Sequence, residues 1–309
     1  MLGIASYRRL RLGARVLVGR SLTPSFARHT EEEIRILLLL AKRTGIDPFA
    51  LWPFMSKGRG VREVVESLSL AAPRVLHGPM PSSDVPWEDL PASFVVKPST
   101  GSSSRGVFVM RRADDGRFDD LMHGQRWTAE DLVRQYQHRP SSWNDVLKDE
   151  VFVEELVECR GRPSYDWKVY AFQGEVTLFD QLDRIGGSMR IRCYLPDWTP
   201  ELHVWHGRYD HDDPLDPPTR PDELMRAASA ISRAIPLPFV RVDLYESDTE
   251  VLVGELTPFP GSRHEHSARW DRILGEAWER GEAALRASGV PRYNLPPRVV
   301  DLRGGRVGL

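Results

Sequence analysis

The chain has 309 residues, 42 basic and 44 acidic side chains, and a formal charge of −2. That length is enough for two or three subdomains around a sizeable core, and the near-neutral balance argues against a nucleic-acid surface as its main business. Two cysteines without a CxxC pair, Cys159 and Cys193, suit buried thiols of a reducing compartment, and the longest apolar run, residues 36–41, is far too short to span a bilayer.

Residues 1–28 carry Arg8, Arg9, Arg11, Arg15, Arg20 and Arg28, with no acid before Glu31. Such an arm suits a targeting segment, and equally a helix laid on an acidic neighbour or a phosphate site. Arg11 and Arg15 interrupt the apolar stretch that a signal peptide needs, so a cytoplasmic protein is expected. Thr30 and Glu33 have the spacing of a capping box and open a helix with Ile34, Leu37, Leu38 and Ala41 on one face, closed by Gly45 and Pro48. A second helix is expected over residues 61–69, and the proline-rich stretch 79–91 has the composition of a linker.

From Phe94 the pattern turns to strands, residues 94–96 pairing with 107–110 around a loop that holds Lys97, Thr100, Gly101, Ser102, Ser103 and Gly106. Only five of the basic residues are lysines, Lys42, Lys57, Lys97, Lys148 and Lys168, and of these Lys97 and Lys168 are flanked by strand-like sequence. An ammonium meets phosphate as a compact point charge. At a strand end, beside a loop of backbone N–H groups and hydroxyls, it is a good way to hold a polyphosphate, although a Gly/Ser hairpin loop alone is commonplace.

Thr128 caps a helix to Gln137 with Asp131 three residues on, and residues 151–157 form a strand. The end of that strand, Glu154, Glu155, Leu156 and Val157, offers backbone groups to a planar base. Residues 167–172 and 176–180 make a hairpin about Gln173 and Gly174, with Asp166 and Lys168 on one face as a site pair or a surface ion pair. Strands at 191–195 and 201–205, an acidic loop at 210–221, a helix at 222–234, a hairpin of 239–246 with 251–257, a helix at 270–288 and a loose tail follow. Hairpins interleaved with single helices indicate an α+β architecture with mainly antiparallel sheets.

In the last hairpin, Arg241 and Asp243 share one strand face, and Glu255 and Thr257 share one face of the partner strand. A loop centred on Asp248 would pair Asp243 with Val253 and Arg241 with Glu255, leaving Asp243 and Glu255 diagonal and able to converge on a divalent ion such as Mg²⁺. A two-residue loop would throw the two acids onto opposite faces. The plain alternative is a cross-strand Arg–Glu ion pair on a solvated face.

In order, the chain has Ser56-Lys57, residues 61–65, Leu90-Pro91, residues 94–98 with the Gly/Ser loop, Glu154-Glu155, residues 165–168 before 172–175, residues 238–245, and residues 254–257 before 260–262. This series, covering roughly residues 50–280, resembles the ATP-grasp superfamily, most closely its teichuronopeptide-biosynthesis (TupA-like) branch. The resemblance implies two α+β subdomains clasping ATP, after a mostly helical N-terminal region. The boundaries expected are 1–92 for that region, 93–153 for the small subdomain, 154–288 for the large one and 289–309 for the tail.

It also implies roles. Lys97 and Lys168 would contact phosphates, and Thr100, Gly101, Ser102, Ser103 and Gly106 would close over them. Glu154, with the backbone of Glu155, Leu156 and Val157, would hold adenine. Asp243, Glu255 and Thr257 would carry Mg²⁺, and Arg241 would sit where charge develops on the transferred phosphoryl group. Thr257 stands where ATP-grasp enzymes often have Asn, which bears on the number of metal ions. Gln181, Arg184, Ser262, Arg263 and His264 are candidates for substrate contact, the last three in a loop preferred over a metal pair of His264 with His266. The implied activity is a carboxylate–amine ligase that forms an amide through an acyl phosphate, acting on amino-acid or peptide substrates. The alternatives are an ATP-grasp phosphotransferase and a non-catalytic nucleotide-binding protein. Neither nucleic acid nor a membrane is expected as a partner.

Overall fold

The computed structural model describes residues 23–52, 54, 59–99, 104–138, 149–206 and 215–295. The first helix, α1, is Phe26–Thr44 and starts earlier than the sequence pattern suggests. Ser25 is its cap, its Oγ accepting the Arg28 N–H at 3.2 Å, while Thr30 lies inside and donates its hydroxyl to the Phe26 carbonyl at 2.9 Å. Glu33 is no capping group; it is buried and takes Arg292 Nη1 at 2.9 Å and the Tyr293 hydroxyl at 2.7 Å. That pairing rotates the buried stripe to Phe26, Ile36, Leu37 and Leu40 and leaves Leu38 exposed. Gly45 ends the helix in the left-handed region (φ 67°) as expected. Residues 289–295 are not loose, since Trp52 stacks on Tyr293 and its Nε1 donates to the Arg292 carbonyl at 2.5 Å. Helix α2 is Arg59–Ser67.

One sheet holds β1 Val75–Met80, β2 Ser93–Pro98, β3 Phe108–Arg112, β4 Phe118–Asp120, β5 Gln125–Trp127 and β6 Val151–Glu155, in the order β1-β6-β2-β3-β4-β5, all antiparallel. The expected β2–β3 hairpin forms, with Phe94 opposite Met110 and Val96 opposite Phe108. Alternation sends Phe94 and Val96 into the core and turns Val95 and Lys97 the other way. Helix α3, Ala129–Gln137, closes that core with Leu132 and Tyr136, and its Thr128–Asp131 capping box is present in full.

The stretch 79–91 is no linker: Val85, Trp87 and Leu90 are buried against Phe94 and Phe118, because apolar side chains set between its prolines reach the sheet. The sheet also draws β1 from the region assigned to residues 1–92, and Glu154 and Glu155 from the segment assigned to the large subdomain, because β6 pairs with both β1 and β2.

A two-stranded ribbon, β7 Glu158–Cys159 with β8 Arg162–Pro163, leads into a second antiparallel sheet. Its strands are β9 Asp166–Phe172, β10 Glu175–Asp183, β11 Arg190–Tyr194, β12 Pro200–Glu201, β13 Val240–Glu246 and β14 Val251–Thr257, in the order β12-β11-β10-β9-β13-β14. The strand expected over 201–205 shortens to Pro200–Glu201, and Trp205 instead makes a single bridge to His266. Helix α4, Pro221–Ala234, packs with α1 and α2 on the face carrying Trp167, Val169, Phe179 and Val242. Helix α5, Ala268–Ser288, packs with Phe26 on the other face, against Tyr170, Phe172 and Leu178. The helix covers only part of that face. The remainder, carrying Lys168, Asp243 and Glu255, looks onto the first sheet across a cleft.

Candidate active site

The cleft encloses about 1220 Å³, mouth included, and both sheets line it. From the first sheet come Val95, Lys97, Val107, Val109, Met122 and the stretch Glu154, Glu155, Leu156 and Val157; from the second come Asp166, Lys168, Leu182, Arg184, Asp243, Tyr245, Gly254 and Glu255. Apolar side chains from both sides make a slot suited to a planar ring, and charged groups from both sheets line the same cleft.

On the first sheet, Lys97 Nζ is 2.7 Å from Glu154 Oε2, with Glu154 buried and Lys97 mostly so. Residues two apart along β2 share a face, and the β2–β6 register sets Glu154 opposite Val95, beside Lys97. Glu155 turns outward, taking the Arg74 backbone N–H at 2.9 Å. Residues 100–103, and Lys57 and Lys148, lie outside the described residues. Gly106 anchors the end of the Gly/Ser loop without lining the cleft, its carbonyl accepting the buried Tyr136 hydroxyl at 2.5 Å.

On the second sheet one row of residues crosses five strands: Cys193, Asp180, Lys168, Asp243 and Glu255 are successive cross-strand partners. Asp243 faces Glu255 directly rather than diagonally. The loop between β13 and β14 is Ser247 to Glu250, an even number that by itself would place the acids on opposite faces. A register shift between the Asp243 and Leu244 pairs, with Gly254 as the extra residue, brings Glu255 back onto the face of Asp243. Gly254 leaves room for the Tyr245 ring, since a Cβ there would meet Tyr245 Cε2 at 2.4 Å.

The charges around Asp243 are tightly paired. Arg241 forks onto it, Nε to Oδ1 at 2.6 Å and Nη2 to Oδ2 at 2.8 Å, and Lys168 Nζ also donates to Oδ2. Asp166 holds Lys168 at 3.0 Å and Arg184 at 3.0 Å. The Asp166–Lys168 pair is thus no surface ion pair. Burial opposes ionisation of Asp166, yet Lys168 and Arg184 outweigh it and bring its carboxyl down to about 2. Burial alone would lower the Arg241 pKa, but the Asp243 carboxylate raises it further above the ordinary guanidinium value. Asp180 is buried and accepts from the Cys193 thiol at 3.2 Å, and desolvation pushes its carboxyl up to about 7.

Several expected residues stand elsewhere. Arg241 and Thr257 form the next row of the sheet, and the Thr257 hydroxyl accepts Arg241 Nη2 at 3.0 Å; neither lines the cleft. Gln181 points to the opposite face, fully buried, donating to the Asp216 carbonyl at 2.6 Å and accepting from the Tyr194 hydroxyl at 3.2 Å. Ser262, Arg263 and His264 occupy a 3-10 turn, Gly261–His264, outside the cleft lining, with His264 Nε2 3.3 Å from Glu31. Asp180 and Tyr245 escaped the sequence reading. Regular alternation across the Gln173–Gly174 turn would set Phe179 opposite Lys168; a register shift between Val176 and Leu178 sets Asp180 there instead, and no local signal gives that shift.

Among the described residues no group of three or more His, Cys, Asp or Glu side chains could hold a metal ion. The donor set is two carboxylates, Asp243 and Glu255, adjacent on neighbouring strands at the cleft. That set fits Mg²⁺, which keeps several waters and takes its remaining oxygens from phosphates.

Two antiparallel sheets facing each other across a charged cleft, with paired carboxylates on one and a lysine on each, define an ATP-grasp protein. The TupA-like ATP-grasp family matches residues 55–279, and the chain belongs to it. No curated protein matches the chain by sequence. Solved structures similar to it include D-alanine–D-alanine ligase from Bacillus anthracis, at 14% identity and TM-score 0.45 over 76% of this chain and 70% of that one. VanG D-Ala:D-Ser ligase from Enterococcus faecalis is similar at 13% identity and TM-score 0.46, over 75% of this chain and 62% of that one. The ATP-grasp ligase PsnB, complexed with a minimal precursor, is similar at 16% identity and TM-score 0.38, over 76% of this chain and 61% of that one. The chain thus spans less than two thirds of the latter two.

Proposed function

We propose that this protein is an ATP-dependent carboxylate–amine ligase, ADP-forming, that acts on an amino acid or peptide. The observation that carries the reading is the single cleft holding Lys97 and Glu154 on one wall and Lys168, Asp243 and Glu255 on the other. Such a cleft has a slot for a base, two ammonium groups for a phosphate chain and a carboxylate pair for the cation that accompanies it.

In this reading the substrate carboxylate attacks the γ-phosphorus, ADP leaves with the bridging oxygen, and an acyl phosphate results. The amine then attacks the acyl carbon, phosphate leaves, and the ammonium proton goes to solvent. Lys97 and Lys168 bind and orient the phosphates, and their positive charge offsets the charge on the transferred group. Bound Mg²⁺ held by Asp243 and Glu255 supplies further neutralisation of the phosphate oxygens. Arg241 acts through Asp243, fixing its carboxylate from behind.

The test is ADP release with Mg²⁺ over a panel of carboxylates paired with amines, products read by mass, together with hydroxylamine trapping. A hydroxamate supports the ligase; a phosphoester product in its place assigns a phosphotransferase. Tight ATP binding with no ADP release across the panel assigns a non-catalytic nucleotide-binding protein.

A further inference from the structure

Asp243 is already saturated with protein cations. Arg241 takes both its oxygens, and Lys168 shares Oδ2. A divalent ion held jointly by Asp243 and Glu255 therefore has to compete with one of the two. Arg241 is the harder to displace, because its bidentate fork is also anchored on the Thr257 hydroxyl at 3.0 Å. Lys168 is a point charge on a flexible stem, and it has a second carboxylate within reach, Asp166 at 3.0 Å. Asp166 is fit to receive it. It is largely buried, it is held ionised, and Arg184 Nε also donates to its Oδ2 at 3.0 Å. Asp180 and Glu255 flank the same row of the sheet, so Lys168 moves among negative groups throughout.

We propose that Lys168 is an exchangeable counter-ion: it neutralises Asp243 while the cleft is empty and withdraws to Asp166 when a divalent cation and nucleotide enter, with Asp166 as the residue that positions it for the phosphates. This inference rests on the functional reading above. It makes cation and nucleotide binding interdependent, since the ammonium released from Asp243 is then turned to the phosphate chain. An empty cleft keeps its carboxylate neutralised and does not hold a lone cation tightly. Coupling between two ligands through a shared element typically changes affinity by about 5–150-fold.

The scarcity of lysine makes the exchange directly observable. Full-length protein labelled with [¹³Cε,¹⁵Nζ]lysine gives five side-chain signals, and Lys168→Arg assigns the relevant one. On addition of Mg²⁺ and a non-hydrolysable ATP analogue, the Lys168 signal is expected to leave its starting position. In Asp243→Asn protein the signal should start displaced, and in Asp166→Asn, which also removes a contact of the empty state, the analogue should no longer carry the signal to the wild-type loaded position. Mg²⁺ titrated alone, followed by thermal stabilisation, should bind Lys168→Met about tenfold more tightly than wild type and Asp166→Asn more weakly. Two cation-depleted variants separate this from a general charge effect, since Arg184→Met, which removes a charge that does not touch Asp243, should gain less than Lys168→Met.

A Lys168 signal that stays fixed while the analogue stabilises the protein, or equal gains in the two cation-depleted variants, overturns the exchange and leaves the ligase reading standing. If neither Mg²⁺ nor the analogue stabilises any of these proteins, the functional reading itself fails and the exchange with it.

Discussion

Asp243 on β13 and Glu255 on β14 stand directly across from each other, facing the cleft, because Gly254 is inserted between Glu255 and the regular pairing that begins at Val253. The bulge serves two ends. It corrects the face of Glu255, and its missing side chain admits the Tyr245 ring, which itself lines the cleft. Gly254→Ala should push that ring into the nucleotide slot. The expected cost is about 1–3 kcal/mol of stability, as for overpacking elsewhere, with ATP affinity falling alongside. A thermal melt and a nucleotide titration check both, and unchanged ATP affinity would contradict the placement of Tyr245.

Lys97→Ala and Asp243→Ala should each abolish measurable ADP formation, a loss of at least about 10²–10³-fold, the usual consequence of removing one preorganised charge from a transition state. Lys97→Ala also strands the buried Glu154 carboxylate, its partner at 2.7 Å, so some loss of stability accompanies it. Near-wild-type turnover in either variant, with a substrate pair that the wild type uses, would refute the assignment of the cleft.

Two buried groups should give opposite slopes of stability against pH. Asp180 is raised from 3.8 to about 7 by burial, so the folded state keeps its proton while the unfolded chain gives it up. The stability it contributes is present below 3.8 and lost as pH rises through about 7. His266, stacked on Trp205 and buried, is lowered from 6.5 to about 4, so its contribution is present above 6.5 and lost as pH falls through about 4. Between these limits the two largely cancel. Asp180→Asn should therefore be more stable than wild type at pH 8 by on the order of 3 kcal/mol and little changed near pH 3.5, whereas His266→Phe should gain mainly below pH 5. Melting curves of both variants across this range decide it; parallel profiles would mean that neither group is titrating as its burial requires.

The tip of the β10–β11 hairpin reaches the first sheet, where Gly186 and Gly187 donate N–H groups to the Leu121 and Met122 carbonyls at 3.0 and 3.2 Å. Both glycines have positive φ, 88° and 82°, a conformation that costs a branched residue dearly. Gly186→Val and Gly187→Val should loosen this bridge beside Met122 and Ile185, which line the cleft, and so raise the dissociation rate of nucleotide several-fold while leaving the core intact. Stopped-flow release of a fluorescent ATP analogue reads the rate; an unaltered rate with a normal melt would show that the bridge does not govern access.

Much of the local structure was legible in the chain because it is set by neighbours in sequence. The Thr128–Asp131 box, the Gln173–Gly174 turn and Gly45 at the end of α1 depend on side chains and φ angles within a few residues, and each falls where the pattern placed it. Strand alternation likewise put Lys97, Lys168 and Asp243 on definable faces, and the order of motifs pointed to the family that matches residues 55–279. Charge partners far apart in sequence were not legible. Glu33 looked like a cap because its true partners, Arg292 and Tyr293, lie about 260 residues away, and so the start and buried face of α1 were misjudged. The proline-rich stretch 79–91 looked like a linker because nothing local reveals the sheet that it covers.

The sequence by itself determined which charged residues are scarce, which strand faces carry them and which family they belong to, since those follow from composition, period and order. Only the tertiary structure decided that Asp243 meets Glu255, that Arg241 stands behind it and that Gln181 turns away from the cleft. Each of these hangs on a one-residue shift or a strand neighbour, and pairing between strands is fixed by the packing of the whole sheet rather than by either strand alone.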